Sequence, residues 1–86
     1  MSPWTVYILE CADGTLYTGV AREMERRLAQ HNGELAGGPK YTRGRRPVRL
    51  LWSAGAPDQS QALKREMGIK RLSRQDKLRL VRGEIA

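Results

Sequence analysis

The chain has 86 residues, 40% of them hydrophobic and 29% charged, which is typical of one small globular domain spanning residues 1–86. It has no apolar run approaching the roughly 20 residues of a membrane span and no signal-peptide pattern, so a membrane or secreted protein is not expected. A single cysteine and a single histidine are too few for an internal disulfide or a structural zinc site, and a cytoplasmic location is expected.

The net charge of +7 is unevenly distributed along the chain. Residues 1–20 contain no lysine or arginine, whereas residues 21–50 and residues 51–86 contain eight each. Such an excess favours a polyanionic partner, most simply nucleic acid. The alternative is a basic surface that is merely solvated, and charge alone does not decide between the two.

The first part of the chain predicts a β-hairpin followed by a helix. Residues 4–9 are rich in β-branched and aromatic side chains, residues 12–15 have the composition of a turn, and residues 16–20 return as a second strand. A helix is predicted over residues 22–32. It lacks a good N-cap residue and ends clearly at Asn32 and the glycine after it.

The length of the hairpin loop decides whether Tyr7 and Tyr17 share a face of the sheet. A two-residue loop would place them on opposite faces, because side chains alternate along a strand. A three-residue loop with Gly14 at positive φ pairs Tyr7 with Gly19 and puts both rings on one face. We predict this second register, in which both rings open toward Arg27 and Gly19 leaves space for a phosphate.

The second half of the chain predicts one more strand and two helices. Residues 33–47 form a long basic connection without periodicity, of a length that is usually functional or mobile. Residues 48–52 predict the third strand. The second helix is predicted to begin at about Asp58 or Ser60, and the third is capped by Ser73. The candidate core positions of the three helices are Met24, Leu28, Ala62, Leu63, Met67, Leu72, Leu78, Val81 and Ile85.

The predicted order of elements is ββαβαα, an α/β (α+β) fold. The helical crossover from the second strand to the third makes these two strands point the same way, while the hairpin makes the first antiparallel to the second. With the first strand in the middle, the strand order is 2-1-3 and all neighbours are antiparallel. The expected architecture is a three-stranded antiparallel sheet flanked by helices.

Taken one at a time, the residues that could do chemistry have ordinary structural explanations. The carboxylates are scattered, and no cluster that would hold two metals, Walker loop or dinucleotide-binding glycine motif is present. Arg27 and His31 are four residues apart and share a helix face, which describes many solvated helix edges. Glu66 precedes Lys70 by four residues, so an ordinary ion pair explains it equally well.

Together, these residues resemble the GIY-YIG nuclease domain over essentially the whole chain. The two tyrosine motifs correspond to Val6-Tyr7-Ile8 and Tyr17-Thr18-Gly19, and Arg27, His31 and Glu66 follow at the family's positions. The likeness is greatest to the small stand-alone bacterial members, whose signatures look like Tyr17-Thr18-Gly19, Arg26-Arg27-Leu28, His31-Asn32 and Lys40-Tyr41-Thr42-Arg43-Gly44.

The resemblance implies a metal-dependent endonuclease that hydrolyses DNA phosphodiester bonds, with branched or damaged DNA as candidate substrates. It implies that Glu66 holds one Mg²⁺ or Mn²⁺ and that the planar guanidinium of Arg27 binds the phosphate. Tyr7, assisted by Tyr17, would take the proton from the attacking water, and His31 would orient a tyrosine hydroxyl or the phosphate. Because an unperturbed tyrosine is a poor base at neutral pH, Arg27 and the metal are expected to lower the pKa of Tyr7.

Departures from the family pattern bear on the activity. Val6 and Thr18 replace a glycine and an isoleucine but leave both tyrosines in place. Val20 stands where the repair-nuclease branch has a lysine near the reacting water, which leaves the details of base activation open. The alternatives to a nuclease are a non-catalytic nucleic-acid-binding protein with the same fold and a module that acts only within a larger assembly.

The basic loop, defined as residues 40–46, mixes four cations with one aromatic ring. Such a segment can follow a phosphate backbone while the ring stacks on a base. The alternative is a flexible, solvated loop. The predicted nucleic-acid-binding residues are Lys40, Tyr41, Arg43, Arg45 and Arg46.

Overall fold

The chain forms a three-stranded sheet with four helices, in a computed structural model that describes residues 2–85. The strand order is β2-β1-β3, and β1 is antiparallel to both of its neighbours. The predicted order and topology are therefore confirmed, with one additional short helix, α2. The elements are β1 (Trp4–Glu10), β2 (Leu16–Ala21), α1 (Met24–His31), α2 (Lys40–Arg43), β3 (Arg49–Ala56), α3 (Gln59–Lys70) and α4 (Arg74–Val81).

The hairpin between β1 and β2 has the register predicted for a three-residue loop. Tyr7 pairs with Gly19, and the N–H of Gly14 donates to the carbonyl of Cys11 at 2.9 Å. Gly14 has a φ of 83°, a left-handed conformation that favours glycine. As a result, Tyr7 and Tyr17 lie on the same face of the sheet, with ring centroids 6.4 Å apart.

The even-numbered residues of β1 build an apolar core under α3 and α4. Val6 and Ile8 are buried together with Ala62 and Ile69 of α3 and with Leu80 of α4. This face contains no histidine or tyrosine among its buried residues. It is closed by hydrophobic burial alone, and we call it the apolar face.

The odd-numbered residues of β1 face the other way, toward α1. Tyr7, Leu9 and Cys11 are buried on this side, and Met24 and Leu28 of α1 pack against them as predicted. Cys11 is a small buried side chain in this cluster rather than an exposed thiol. We call this the polar face, because it also receives the side chains described in the next subsection.

The start of α1, the end of β3 and the presence of α2 differ from the prediction. The helix α1 begins at Met24 rather than at residue 22, and its N-cap residue Glu23 makes no capping hydrogen bond through its side chain. The strand β3 continues to Ala56, because Gly55 pairs with Thr5 of β1 and the ladder overrides the local glycine signal. The helix α2 forms within a segment that was predicted to be irregular.

The buried stripe of α3 is shifted from the predicted one. Leu63 and Met67 are 40% and 53% exposed, so their prediction as core residues is wrong. Ile69 of α3 and Leu80 of α4 are buried and were missed. Successive helical residues are about 100° apart, so Ala62 and Leu63 cannot both point at the centre of the core. Leu72, Val81 and Ile85 pack around the core as predicted, and Leu78 is partly buried.

Side chains cap both C-terminal helices: Ser73 is the predicted cap of α4, and Asp58 is one of the two predicted starts of α3. Asp58 accepts a hydrogen bond from the N–H of Gln61 at 2.8 Å, and Ser73 accepts one from the N–H of Asp76 at 3.1 Å. These bonds satisfy N–H groups that a helix leaves without partners. Across residues 2–85, no helix is both long and apolar enough to cross a membrane.

Candidate functional site

A chain of buried hydrogen bonds occupies the polar face. The phenolic oxygen of Tyr7 lies 2.8 Å from Nε2 of His31, and Nδ1 of His31 lies 3.0 Å from Oγ1 of Thr42. The hydroxyl of Thr42 donates to the carbonyl of Pro39 at 3.2 Å. None of the three side chains is more than 1% exposed. These hydrogen bonds connect β1, α1 and α2, and they bring together residues that are up to 35 positions apart in the sequence.

Burial keeps His31 and Tyr7 neutral at pH 7. It lowers the pKa of His31 to about 4, and the positive charge of Arg27 acts in the same direction. It raises the pKa of Tyr7 to about 12, which the neighbouring Arg27 opposes and the negative charge of Glu66 reinforces. Arg27 acts in the expected direction, but burial outweighs it, so in the absence of a metal ion the pKa of Tyr7 lies above its ordinary value.

Thr42 determines which nitrogen of His31 carries the proton. Oγ1 of Thr42 lies within hydrogen-bond distance of both the carbonyl of Pro39 and Nδ1 of His31, and the carbonyl can only accept. A Thr42 hydroxyl that donates to this carbonyl leaves its lone pairs for Nδ1–H of His31, and Nε2 is then the acceptor for the hydroxyl of Tyr7. We infer this tautomer, in which the imidazole presents an acceptor nitrogen to the phenol.

Thr42 is the member of this chain that the sequence analysis missed. It lies within the short helix α2, between exposed Tyr41 and exposed Arg43. Thr42 appears in the sequence analysis only as part of the signature Lys40-Tyr41-Thr42-Arg43-Gly44, with no role assigned to it. Its importance depends on contact with His31, eleven residues away, which no local pattern reveals.

Gly19 makes room for the ring of Tyr7. A Cβ atom at residue 19 would lie 2.5 Å from the phenolic oxygen of Tyr7 and 2.7 Å from its Cζ. Distances this short do not occur, so a side chain at this position would displace the ring. The space predicted to admit a phosphate is instead filled by the phenol, and we correct that expectation.

Arg27 lies at the edge of the hydrogen-bonded chain. Its guanidinium donates to Oε1 of Gln30 at 3.0 Å and to the carbonyl of Gly37 at 3.3 Å. Both acceptors are neutral, so neither cancels its positive charge. That charge acts on both Tyr7 and His31. The arrangement agrees with the prediction that Arg27 lies near the tyrosines, and it leaves a cation available to bind an anion.

Glu66 lies on α3, the helix that packs against the other face of the sheet. Its side chain is 16% exposed, and its carboxylate lies 3.6 Å from Nζ of Lys70, so the ordinary ion pair considered above is present. Its negative charge nevertheless raises the pKa of Tyr7. Within residues 2–85, no group of three or more histidine, cysteine or acidic side chains forms a metal cage. A divalent cation at Glu66 would have this one carboxylate and otherwise water and substrate oxygens, which Mg²⁺ accepts.

Tyr17 connects the buried chain with the basic loop. The centroid of its ring lies 5.1 Å from that of His31 and 5.4 Å from that of Tyr41. The guanidinium of Arg45 lies 4.1 Å from the centroid of Tyr41 and covers one face of that ring. Tyr41 therefore has less surface to offer a nucleic-acid base than its sequence context predicts.

Two of the four cations of the basic loop hold it in place. Arg45 forms an ion pair with Asp13 at 3.1 Å, and Arg46 donates to the carbonyl of His31 at 2.7 Å. Lys40 and Arg43 are exposed, and neither takes part in an ion pair within residues 2–85. These two cations are the least constrained of the four, while Arg46 also keeps its full charge, because its acceptor is a neutral carbonyl.

Comparison with known sequences finds the same family over most of the chain. The pattern of the GIY-YIG catalytic domain matches residues 3–79. A UPF0213 protein of Desulfotalea psychrophila is 51% identical over 80 residues, which cover 93% of this chain and 72% of that protein. A UPF0213 protein of Staphylococcus saprophyticus is 49% identical over 76 residues, covering 88% of this chain and 90% of that one.

Two structures solved by solution NMR have the same fold. The UPF0213 protein BH0048 from Bacillus halodurans matches with a TM-score of 0.57 and 42% identity, over 91% of this chain and 81% of that one. The protein EF2693 from E. faecalis matches with a TM-score of 0.63 and 38% identity, over 96% and 85%. The domain match, the relatives and the fold agree, and the chain belongs to the GIY-YIG family and, within it, to the UPF0213 proteins.

Proposed function

We propose that this protein is a divalent-metal-dependent endonuclease that hydrolyses phosphodiester bonds of DNA, with branched or damaged DNA as candidate substrates. The observation that carries the proposal is the hydrogen bond between a buried phenol and a neutral histidine, beside Arg27, which forms no ion pair within residues 2–85. Burying polar side chains costs free energy unless every group is paired. A protein that only holds nucleic acid on a basic surface has no need of such a proton-accepting chain.

The buried hydrogen-bonded side chains supply a base through the Tyr7–His31 pair. A water molecule attacks the phosphorus and gives one proton to the phenolic oxygen of Tyr7, while the hydroxyl proton of Tyr7 passes to Nε2 of His31. The resulting imidazolium is a transient species, because burial and Arg27 hold the pKa of His31 at about 4, and it keeps its Nδ1–H hydrogen bond to Thr42. The water oxygen ends on the phosphorus, the bond from phosphorus to the 3′-oxygen breaks, and that oxygen takes a proton from solvent.

Arg27, and a cation bound to Glu66, would stabilise the negative charges on the phosphate. The planar guanidinium of Arg27 suits two nonbridging oxygens at once, an arrangement that a lysine cannot reproduce. A cation bound to Glu66 would neutralise charge on a nonbridging oxygen and on the leaving oxygen.

The direct test is the incubation of labelled single-stranded, duplex and branched DNA with the protein in Mg²⁺ or Mn²⁺, and separately in EDTA. We expect cleavage that stops in EDTA and in Glu66→Gln, because the amide keeps the size of the carboxylate but loses its charge. Glu34→Gln is the matched control, since Glu34 is exposed and lies outside the site. It should cut at the wild-type rate.

The same assay decides against the proposal in two ways. Undiminished cutting by Glu66→Gln or in EDTA would rule out the metal at Glu66. Binding of DNA without cutting, under every metal condition, would favour the non-catalytic nucleic-acid-binding protein instead. Circular dichroism of Glu66→Gln establishes that a loss of activity is not a loss of fold.

A further inference from the structure

A cleft of about 640 Å³ opens beside Arg27, between α1 and the ends of β1 and β2. Its apolar part includes the indole of Trp4 and the side chain of Val20, and its basic part includes Arg22 and Arg26. Arg27 lines the cleft and also lies at the edge of the candidate site, so the two are continuous. None of its other residues belongs to the hydrogen-bonded chain of Tyr7.

The cleft carries positive charge that the protein itself does not neutralise. Arg22, Arg26 and Arg27 line it together with a single carboxylate, that of Glu23. None of these three arginines takes part in an ion pair within the described part of the chain, residues 2–85. A concave surface with several unpaired guanidinium groups concentrates anions. The arginines that do pair with carboxylates are Arg45, Arg49, Arg79 and Arg82.

The indole adds a second kind of recognition. The guanidinium of Arg22 lies over the Trp4 ring, 5.6 Å from its centroid, and the indole is partly buried against the apolar core, so a base that stacks on this ring displaces Arg22 toward the phosphates. Aromatic rings in basic grooves stack on nucleobases, whereas an inorganic anion makes no use of them. Val20 keeps this part of the cleft apolar at the position where the repair-nuclease branch has a lysine.

We propose that this cleft binds the single-stranded segment next to the scissile phosphate. One base lies against Trp4, and the neighbouring phosphates contact Arg22 and Arg26. The assignment rests on the proposed function, because Arg27 connects the cleft to the reacting phosphate. It makes the cleft, rather than the basic loop alone, the main source of affinity for a single strand.

The fluorescence of Trp4 tests this assignment without any cleavage. The chain has two tryptophans, so Trp52→Phe leaves Trp4 as the only reporter. Titration with a thymidine dodecamer in EDTA should quench Trp4 in a salt-dependent way. In the same background, Arg22→Gln with Arg26→Gln should weaken binding by about tenfold or more. The salt slope should fall by about 0.7 log units for each phosphate that the variant no longer binds.

The second tryptophan provides a matched control. The guanidinium of Arg65 lies 5.5 Å from the centroid of Trp52, so a similar pair exists outside the cleft. In Trp4→Phe, the remaining Trp52 should not be quenched, and Arg65→Gln should bind the dodecamer as the wild type does. Equal quenching at Trp52, or unchanged affinity after both arginine changes in the cleft, would overturn the proposal.

Three further outcomes distinguish this assignment from a general anion site and from the proposed nuclease activity. Equal quenching of Trp4 by a linear polyphosphate of similar charge would make the cleft a general anion site and would overturn the nucleic-acid assignment. Quenching of Trp4 in a protein that cuts no DNA would overturn the nuclease while supporting the cleft. Cutting of DNA by a protein whose Trp4 is never quenched would support the nuclease and overturn the assignment of the cleft.

Discussion

Ile8 and Tyr7 are neighbours on the central strand, yet they belong to parts of the molecule that are built differently. Ile8 points into the apolar face, where α3 and α4 close the core with aliphatic side chains. Tyr7 points into the polar face, where its hydroxyl must meet His31 and where His31 must in turn meet Thr42. On the apolar face a side chain needs only to fill the available volume. On the polar face it must also place its hydrogen-bonding atoms at the right distance and in the right direction.

The difference shows how a small domain combines stability with chemistry. Hydrophobic burial is non-directional, so the apolar face can stabilise the sheet without constraining the polar one. Each buried polar group on the other face needs a partner with good geometry, and the sheet holds those partners in place. Glu66 is the exception that connects the two, because it lies on the helix of the apolar face and acts on Tyr7.

The largest expected effect separates the two faces directly. Ile8→Ala should lower the free energy of unfolding by about 2–5 kcal/mol, because it leaves a cavity in a fully buried core. Tyr7→Phe removes a hydroxyl and keeps the ring, so it should cost only about 1 kcal/mol of stability while DNA cleavage is lost. Urea unfolding and the cleavage assay measure the two quantities.

Two results would contradict this difference between the faces. A Tyr7→Phe protein that is as unstable as Ile8→Ala would mean that the polar chain is mainly structural. Full cleavage by Tyr7→Phe would remove Tyr7 from the proton transfer.

A smaller effect follows from the neutral state of His31. Its pKa in the folded protein is about 4, below the ordinary value of 6.5, so the unfolded chain binds more protons between these values and stability falls as pH falls. The loss should reach about 3 kcal/mol at pH 4 relative to pH 7. Urea unfolding at a series of pH values measures it. The chain has one histidine, so no other imidazole contributes.

The control for this pH dependence is His31→Gln, whose stability should vary much less between pH 4 and 6.5. An NMR titration of the His31 ring in the wild-type protein gives the pKa directly. An ordinary pKa near 6.5, or an equally steep loss of stability in His31→Gln, would contradict the prediction.

The smallest effects come from the same substitution made on each face. Thr42→Val removes the acceptor for Nδ1–H of His31 and should cost about 1–2 kcal/mol. It should also release the tautomer of His31, which the ¹⁵N shifts of the ring report, and Thr42→Ser should restore it. The hydroxyl of Thr18 is buried without a partner within residues 2–85, so Thr18→Val should be neutral or slightly stabilising.

This pair also has clear contrary outcomes. A His31 tautomer that is unchanged in Thr42→Val would mean that Thr42 fills space without setting the proton. A clear loss of stability in Thr18→Val would mean that its hydroxyl has a partner, such as an ordered water.

Several features could be predicted from the sequence because neighbouring residues determine them. Alternation along the strands and the need for positive φ at Gly14 fixed the hairpin register and put both tyrosines on one face. Ser73 identified the start of α4 and Asp58 was one of two predicted starts of α3, because capping joins residues only three apart. The spacing of the tyrosine, arginine, histidine and glutamate motifs identified the family.

Other features were decided only by the tertiary structure. Whether Leu63 or Ile69 faces the core depends on how α3 lies across the sheet, and both fit a helical period. The basic loop looked uniform in sequence, yet Arg45 is tied to Asp13, 32 residues away, while Lys40 has no ion pair among the described residues. The pKa of Tyr7 rose because burial, a property of the whole fold, outweighed the one nearby cation that the sequence revealed.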